Sequence, residues 1–200
     1  MFDVLIIGGG VAGVSCALVL GSANKKIFVA NKKIAIIAHQ KTSSLQDAIF
    51  NNAYGISPKT LGSKLLTESL LNLKELYPHV LQINGEKVLE IKGRYPDFEV
   101  ITNKSIYKTK KIVVAIGYSN TFAIEGLMDN VENHKKSLSE KNRIQLTNID
   151  HKVSNGIYVA GTLAGCRSQL AIAAGSGAAV ATDILTVWND GIQTQSHDKI

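Results

Sequence analysis

The 200-residue chain is poor in the residues that mark several protein classes. It has two cysteines, Cys16 and Cys166, far apart and in no Cys-x-x-Cys pair, which excludes a dithiol redox motif, a disulfide framework and a metal knuckle. Three prolines leave no long linker, and no internal repeat or low-complexity tract is visible. No stretch approaches 18 uninterrupted apolar residues, so no membrane span is expected. The opening Met1 to Gly13 lacks a basic region, carries Asp3 and runs into glycines rather than a cleavage site. It therefore does not read as a secretory signal, and cytoplasmic residence is the default expectation. The net charge of +6 comes from scattered or paired lysines (Lys25-Lys26, Lys32-Lys33, Lys110-Lys111, Lys135-Lys136). No helix shows a basic stripe interleaved with aromatics, so nucleic acid is not expected as a partner.

What remains is an ordinary globular composition, 45% apolar, and enough chain for one substantial α/β core. Three apolar runs end in glycine: Phe2 to Ile7, Lys111 to Gly117 and Gly156 to Gly161. Continuous runs of this kind suit strands buried on both faces of a parallel sheet. Val14 to Ala23 and about Ser168 to Trp188 read as helices rich in small residues, and Leu61 to Leu76 as an amphipathic one. Lys26 to Ala30 and Lys33 to Ala38 compete for the second strand, with Ile34 to Ala38 the cleaner run. Val80 to Ile83, Lys87 to Ile91, Phe98 to Thr102 and Ser105 to Lys108 fit a small antiparallel meander with a turn at Asn103-Lys104. Ser119 to Asp150 is polar and the least structured in pattern.

Gly8-x-Gly10-x-x-Gly13 lies between the first strand and the first helix, the context that gives this string meaning. Gly8 allows the tight turn, Gly10 lets a pyrophosphate approach the backbone, and Gly13 lets the helix pack on the sheet. Amides of Val11, Ala12 and Gly13 then face the diphosphate, favoured by the helix dipole. NAD and FAD both satisfy such a loop. The usual acidic residue for the adenosine ribose is missing: Asn31 stands about 18 residues on, and the favoured strand ends in Ala38-His39-Gln40-Lys41. Asn31 or the stretch Ala38 to Lys41 is the ribose-side candidate, and the missing carboxylate counts against ordinary NAD specificity.

Asp3 to Gly13 resembles the opening of the thioredoxin-reductase-like branch of the FAD-dependent pyridine nucleotide-disulfide oxidoreductases. Lys111 to Gly117 is similar to that family's second motif, with Ile116 where Ala-Thr-Gly has threonine. Gly156 to Thr162 is similar to its late strand, with Thr162 where Gly-Asp has aspartate, and Gln169-Leu170 opens the helix that follows. The resemblance implies an α/β, three-layer Rossmann-like FAD-binding domain, parallel sheet plus a small antiparallel β-meander. It implies cofactor contacts from Val88, Ala115, Ile116, Gly117, Gly161, Thr162, Gln169 and Leu170. Thr162 would offer the ribityl chain a hydroxyl without charge, and the Gln169–Leu170 helix start would face the flavin pyrimidine.

In that family a nicotinamide domain separates the second and third motifs; here only Tyr118 to Asn155 lies between them. The expectation is a single FAD-binding domain over 1–200, with 1–118 and 150–190 as core and 119–149 as a connector in place of the nicotinamide domain. Cys16, on the first helix, reads as a small buried residue. Cys166, beside Arg167 and ahead of the flavin-facing helix, is the one weak catalytic candidate, a thiol that a basic neighbour and a helix start would acidify. No metal site is indicated. Three readings follow: an FAD-dependent oxidoreductase with unknown donor and acceptor; an FAD-containing electron carrier or subunit needing a partner chain; and a small NAD-binding Rossmann protein. The first two call for a small-molecule or protein redox partner, with NAD(P)H as an external donor, and the family precedent suggests a homodimer.

Overall fold

The computed structural model describes residues 1–39, 45–117 and 121–197. In chain order the elements are β1 (Val4–Ile7), α1 (Val11–Ser22), β2 (Ile34–Ala38), β3 (Ile49–Phe50), β4 (Thr60–Leu61), α2 (Gly62–Leu76), β5 (Val80–Asn84), β6 (Val88–Arg94), β7 (Asp97–Thr102), β8 (Ile106–Thr109), β9 (Ile112–Val114), β10 (Val131–Asn133), β11 (Ile144–Leu146), β12 (Lys152–Ser154), β13 (Ile157–Val159) and α3 (Leu170–Trp188). A six-stranded sheet runs β12-β13-β9-β1-β2-β5. Its five strands from β13 to β5 are parallel, and β12 adds antiparallel to β13.

Every residue of β1, β2, β9 and β13 is buried. That follows from their sequences: Val, Ile and Leu at successive positions supply apolar surface to both faces of the sheet. Val4 and Ile6 face one way, into a layer with Leu20 of α1, Leu73 of α2 and Val180, Ile184 and Leu185 of α3. Leu5 and Ile7 face the other, against Val88, Ile91, Phe98 and Val100 of the meander β6-β7-β8. Each such side chain stabilises the fold by about 1.5–3 kcal/mol when fully buried. The architecture is thus three layers: helices, a mainly parallel sheet, and an antiparallel meander.

Four details depart from the pattern reading. Val80 to Ile83 is not part of the meander; as β5 it closes the parallel sheet beside β2. As an edge strand it buries only Val80 and Ile83 and leaves Leu81 and Asn84 exposed, so it lacks the continuous apolar run of the inner strands. Lys26 to Ala30 forms turns rather than a strand. Polar residues 121–149 carry the hairpin β10-β11 and place Phe122, Ile124, Leu127 and Leu146 in the core on the meander side. Residues 152–154 supply an unexpected antiparallel strand. In addition, α3 is long and apolar enough to cross a membrane by length and composition, at 19 residues. Here Val180, Ala181, Ile184 and Leu185 pack in the helical layer, and Asp183 interrupts its apolar surface.

Candidate functional site

The chain leaves β1 toward β2 on one side, then returns through β5 and the meander to β9 on the other. The strand order therefore reverses at β1, and the crevice at the carboxyl ends of β1 and β9 is where open α/β sheets bind ligands. Ile7, Val114 and Val159 are in register across three adjacent strands. Gly8, Ala115 and Ala160, the next residues of each, consequently leave the sheet at one level.

Gly8 has φ +119°, and a Cβ there would lie 2.4 Å from the Ala115 carbonyl oxygen. Gly13 faces the same turn: a Cβ would lie 1.9 Å from the Gly8 carbonyl oxygen. These two glycines are required by the close approach of helix, turn and neighbouring strand. Gly10 is different. No atom lies within 4 Å of where its Cβ would stand, so the backbone before α1 faces open space. A missing side chain with nothing to clash against is what a group approaching the main chain needs.

The two apolar helices meet at this end. Ser15 Oγ donates to the Ala174 carbonyl at 2.7 Å, and a Cβ on Gly177 would lie 1.9 Å from the Ala12 carbonyl oxygen. The Gly161 amide donates to Ser176 Oγ at 2.8 Å, tying the turn after β13 to α3. Neither α1 nor α3 has a side-chain N-cap or an acidic residue in its first turn. Two positive helix ends thus stand beside one crevice without an internal carboxylate to meet them. Around α3's start, Arg167, Ser168, Gln169, Ala171, Ile172 and Gly175 are all exposed.

The sequence candidates fall into groups. Gly8, Gly10, Val11, Ala12 and Gly13, with Ala115, Ile116, Gly117, Gly161 and Thr162, follow the carboxyl ends of β1, β9 and β13. Thr162 Oγ1 lies 3.9 Å from the Cβ position of Gly117, and Ile116 is 42% exposed, with its apolar side chain open to a ligand. Gln169 and Leu170 form the start of α3. Ala38 and His39 end β2 on the same sheet edge, where Gly8 N donates to Ile37 O. Asn31 precedes β2 and so lies at the opposite edge. Val88 begins β6, buried among the meander-side core. Gln40 and Lys41 lie outside the described residues.

Cys16 is fully buried, and burial pushes its thiol far above its usual range, so it is chemically inert. Cys166 is partly exposed and lines a separate hollow of about 120 Å³ with His134, Lys136, Ser137, Arg143, Arg167 and Ser168. This hollow is not visible in the sequence, because hairpin and pre-helix loop are distant in the chain. His134, a solvated histidine by its sequence context, is only 8% exposed. Likewise His151 is not a plain surface residue: its Nδ1 lies 3.0 Å from the Val159 carbonyl oxygen. Among the described residues no group of three metal-ligating side chains occurs.

Residues 2–177 match the pyridine nucleotide-disulphide oxidoreductase family. A curated relative, one of the subunits of the anaerobic glycerol-3-phosphate dehydrogenase of Haemophilus influenzae, is 33% identical over 104 residues. That match takes in 52% of this chain and 23% of the relative, so the chain spans less than a quarter of that protein. Similar solved structures include an oxidoreductase from Agrobacterium tumefaciens, with TM-score 0.72 and 14% identity over 93% of this chain and 98% of that one. A ferredoxin-flavin thioredoxin reductase from Clostridium acetobutylicum gives 0.68 and 18% over 94% and 98%. A thioredoxin reductase from Gloeobacter violaceus gives 0.69 and 14% over 100% and 97%. At such identities the likeness is one of fold.

Proposed function

The chain belongs to the pyridine nucleotide-disulphide oxidoreductase family, and on that footing we propose that it is an FAD-dependent oxidoreductase lacking a built-in NAD(P)H domain. The carrying observation is the cleared crevice: an open Gly10 backbone flanked by two helix starts without carboxylates. The diphosphate would lie against the amides of Val11, Ala12 and Gly13, where the dipole of α1 offsets its charge. Ala115, Ile116 and Gly117 would border the flavin, and the hydroxyl of Thr162 would bond the ribityl chain. Gln169 and Leu170 would bring the positive end of α3 to the pyrimidine, which favours negative charge there on reduction. His39 follows β2 at the ribose side, with no carboxylate at that strand end among the described residues. When bound, FAD supplies hydride or single-electron transfer; the protein supplies position and field.

Two observations support the finer reading. The chain has no Cys-x-x-Cys, so it cannot run an internal dithiol cycle. Between β9 and β12 the described residues form a hairpin and short 3-10 turns, without a second parallel strand-and-helix unit. Residues 119–149 thus stand where a nicotinamide domain would, and electrons enter from outside, from NAD(P)H or a redox protein.

A second reading has its own support: the chain is a flavin-bearing component that works with a partner chain. The curated relative is itself named as one subunit of a glycerol-3-phosphate dehydrogenase. One experiment tests both. The purified protein is expected to be yellow and to release FAD, about one per chain, on denaturation. A colourless protein that takes up no FAD overturns both readings. Anaerobic bleaching by NADH or NADPH alone then selects the self-sufficient enzyme; persistent colour selects the partner-dependent one.

A further inference from the structure

The hollow beside α3 carries chemistry that the crevice does not use. Two segments build it. One is the tip of the β10-β11 hairpin, with His134, Lys136, Ser137 and Arg143; the other is the loop entering α3, with Cys166, Arg167 and Ser168. They are fastened together. Asn148 Nδ2 donates to the Ala164 carbonyl at 3.3 Å, and a Cβ on Gly165 would lie 2.7 Å from Gln145 Oε1.

The lining is one-sided in charge. Lys136, Arg143 and Arg167 are its basic side chains, and among the described residues no carboxylate lines the hollow. Of the two acids on the hairpin, Glu140 does not line the hollow, and Glu132 is engaged by Lys135 Nζ and by Gln145 Nε2, both at 2.9 Å. Lys136 and Arg167 have no ion-pair partner among the described residues. The Lys136 amide donates to His134 Nδ1 at 3.2 Å, which holds the ring against the hairpin tip. The Ser137 hydroxyl is buried there without a hydrogen-bond partner. A buried unpaired hydroxyl calls for an acceptor. The space equals the liquid share of about four waters at about 30 Å³ each, enough for the five heavy atoms of a tetrahedral oxyanion.

We propose that this hollow binds the phosphate group of a small phosphate monoester. The unpaired Lys136 and Arg167, with no carboxylate in the lining, over-match a single carboxylate charge and suit a dianion, and guanidinium and hydroxyl groups donate to its several oxygens. Cys166 to Ser168 immediately precede the N-cap of α3, so the phosphate would anchor a substrate beside the flavin. That last placement, unlike the binding itself, rests on the flavin reading given above.

Cys166 provides the gauge. Cys16 is fully buried, so alkylation of the folded protein reads Cys166 alone. The test follows carbamidomethylation of Cys166 by mass spectrometry in methyl phosphate, acetate or chloride at equal ionic strength. Methyl phosphate is expected to slow the reaction at least fivefold, saturably, while acetate and chloride do not. Arg167→Ala, on an exposed side chain, is expected to raise the half-protecting concentration at least tenfold, and Lys136→Ala to raise it by less. No saturable protection, equal protection by acetate, or an unchanged Arg167→Ala variant overturns the proposal. FAD content is read separately on the same samples. Protection in a protein that holds no flavin keeps the phosphate site and removes only its place beside a redox centre.

Discussion

The two edges of the parallel sheet are built from opposite materials. At the carboxyl edge the turns are glycine, the helix starts are uncapped, and the side chains are small or open to solvent. At the amino edge the same strands begin in long, partnered side chains. Asp3 accepts hydrogen bonds from the Lys33 amide at 2.9 Å and from Lys110 Nζ at 3.0 Å. Lys111 lies 5.3 Å from the Tyr95 ring centre and 6.0 Å from that of Trp188, over which Lys32 also sits at 5.5 Å. Burial, helped by Lys32, holds the Lys111 ammonium below the usual lysine range. His79 Nε2 lies 3.1 Å from the Gly21 carbonyl oxygen beneath α1. One edge is fastened and the other cleared, so stability and ligand affinity should be separable by mutation.

The largest expected effect comes from breaking that separation. Gly13→Val drives a side chain into the Gly8 carbonyl, with no flexible neighbour to yield. It should cost about 3 kcal/mol or more and abolish flavin retention together, measured by urea unfolding and by visible absorbance. Gly10→Val sharpens the contrast, because its Cβ enters open space. FAD affinity should fall at least about tenfold, or about 1.4 kcal/mol. The apoprotein's unfolding free energy should stay within about 1 kcal/mol. A Gly10→Val protein that keeps its flavin would mean the crevice is not the diphosphate site.

The smallest effect belongs to the fastened edge. Burial raises the Asp3 carboxyl, but the Lys33 amide and the Lys110 ammonium outweigh it and hold the group below its ordinary value of 3.8. A carboxylate lowered in the folded state adds stability above its unfolded value and loses it as pH falls through the folded one. Asp3→Asn should therefore cost about 0.5–1 kcal/mol at neutral pH, modest because Lys110 is half exposed to screening solvent. The difference from wild type should shrink on acidification below that ordinary value. Flavin content should not change; its loss would show that the edges are coupled.

Those strands and glycine turns are legible in the sequence because their signals are local. Ile34 to Ala38 reads as a buried strand from five residues alone, and Gly8, Gly10 and Gly13 declare a turn whose partners are adjacent in the chain. What is not legible depends on long-range pairing. Nothing in Val80 to Ile83 says that β2, rather than the meander, is its neighbour. In the hairpin, Val131, Ile144 and Leu146 are too few among polar residues to show a period, yet Leu146 is fully buried. The basic hollow is hidden for the same reason. Its two segments are separated by β11, β12 and β13, and only the folded chain sets Arg143 and Arg167 around one space.

The stacked ring at the base of α3 has a practical side. Trp188 is the sole tryptophan, at the last position of a helix that spans roughly 28 Å at about 1.5 Å per residue. Its ultraviolet emission is thus a local gauge of the lysine-covered base. Denaturation that begins by loosening that base will dim or redshift the signal early. Fraying confined to the opposite tip will leave it silent, so this indole times the events at one end of the molecule alone.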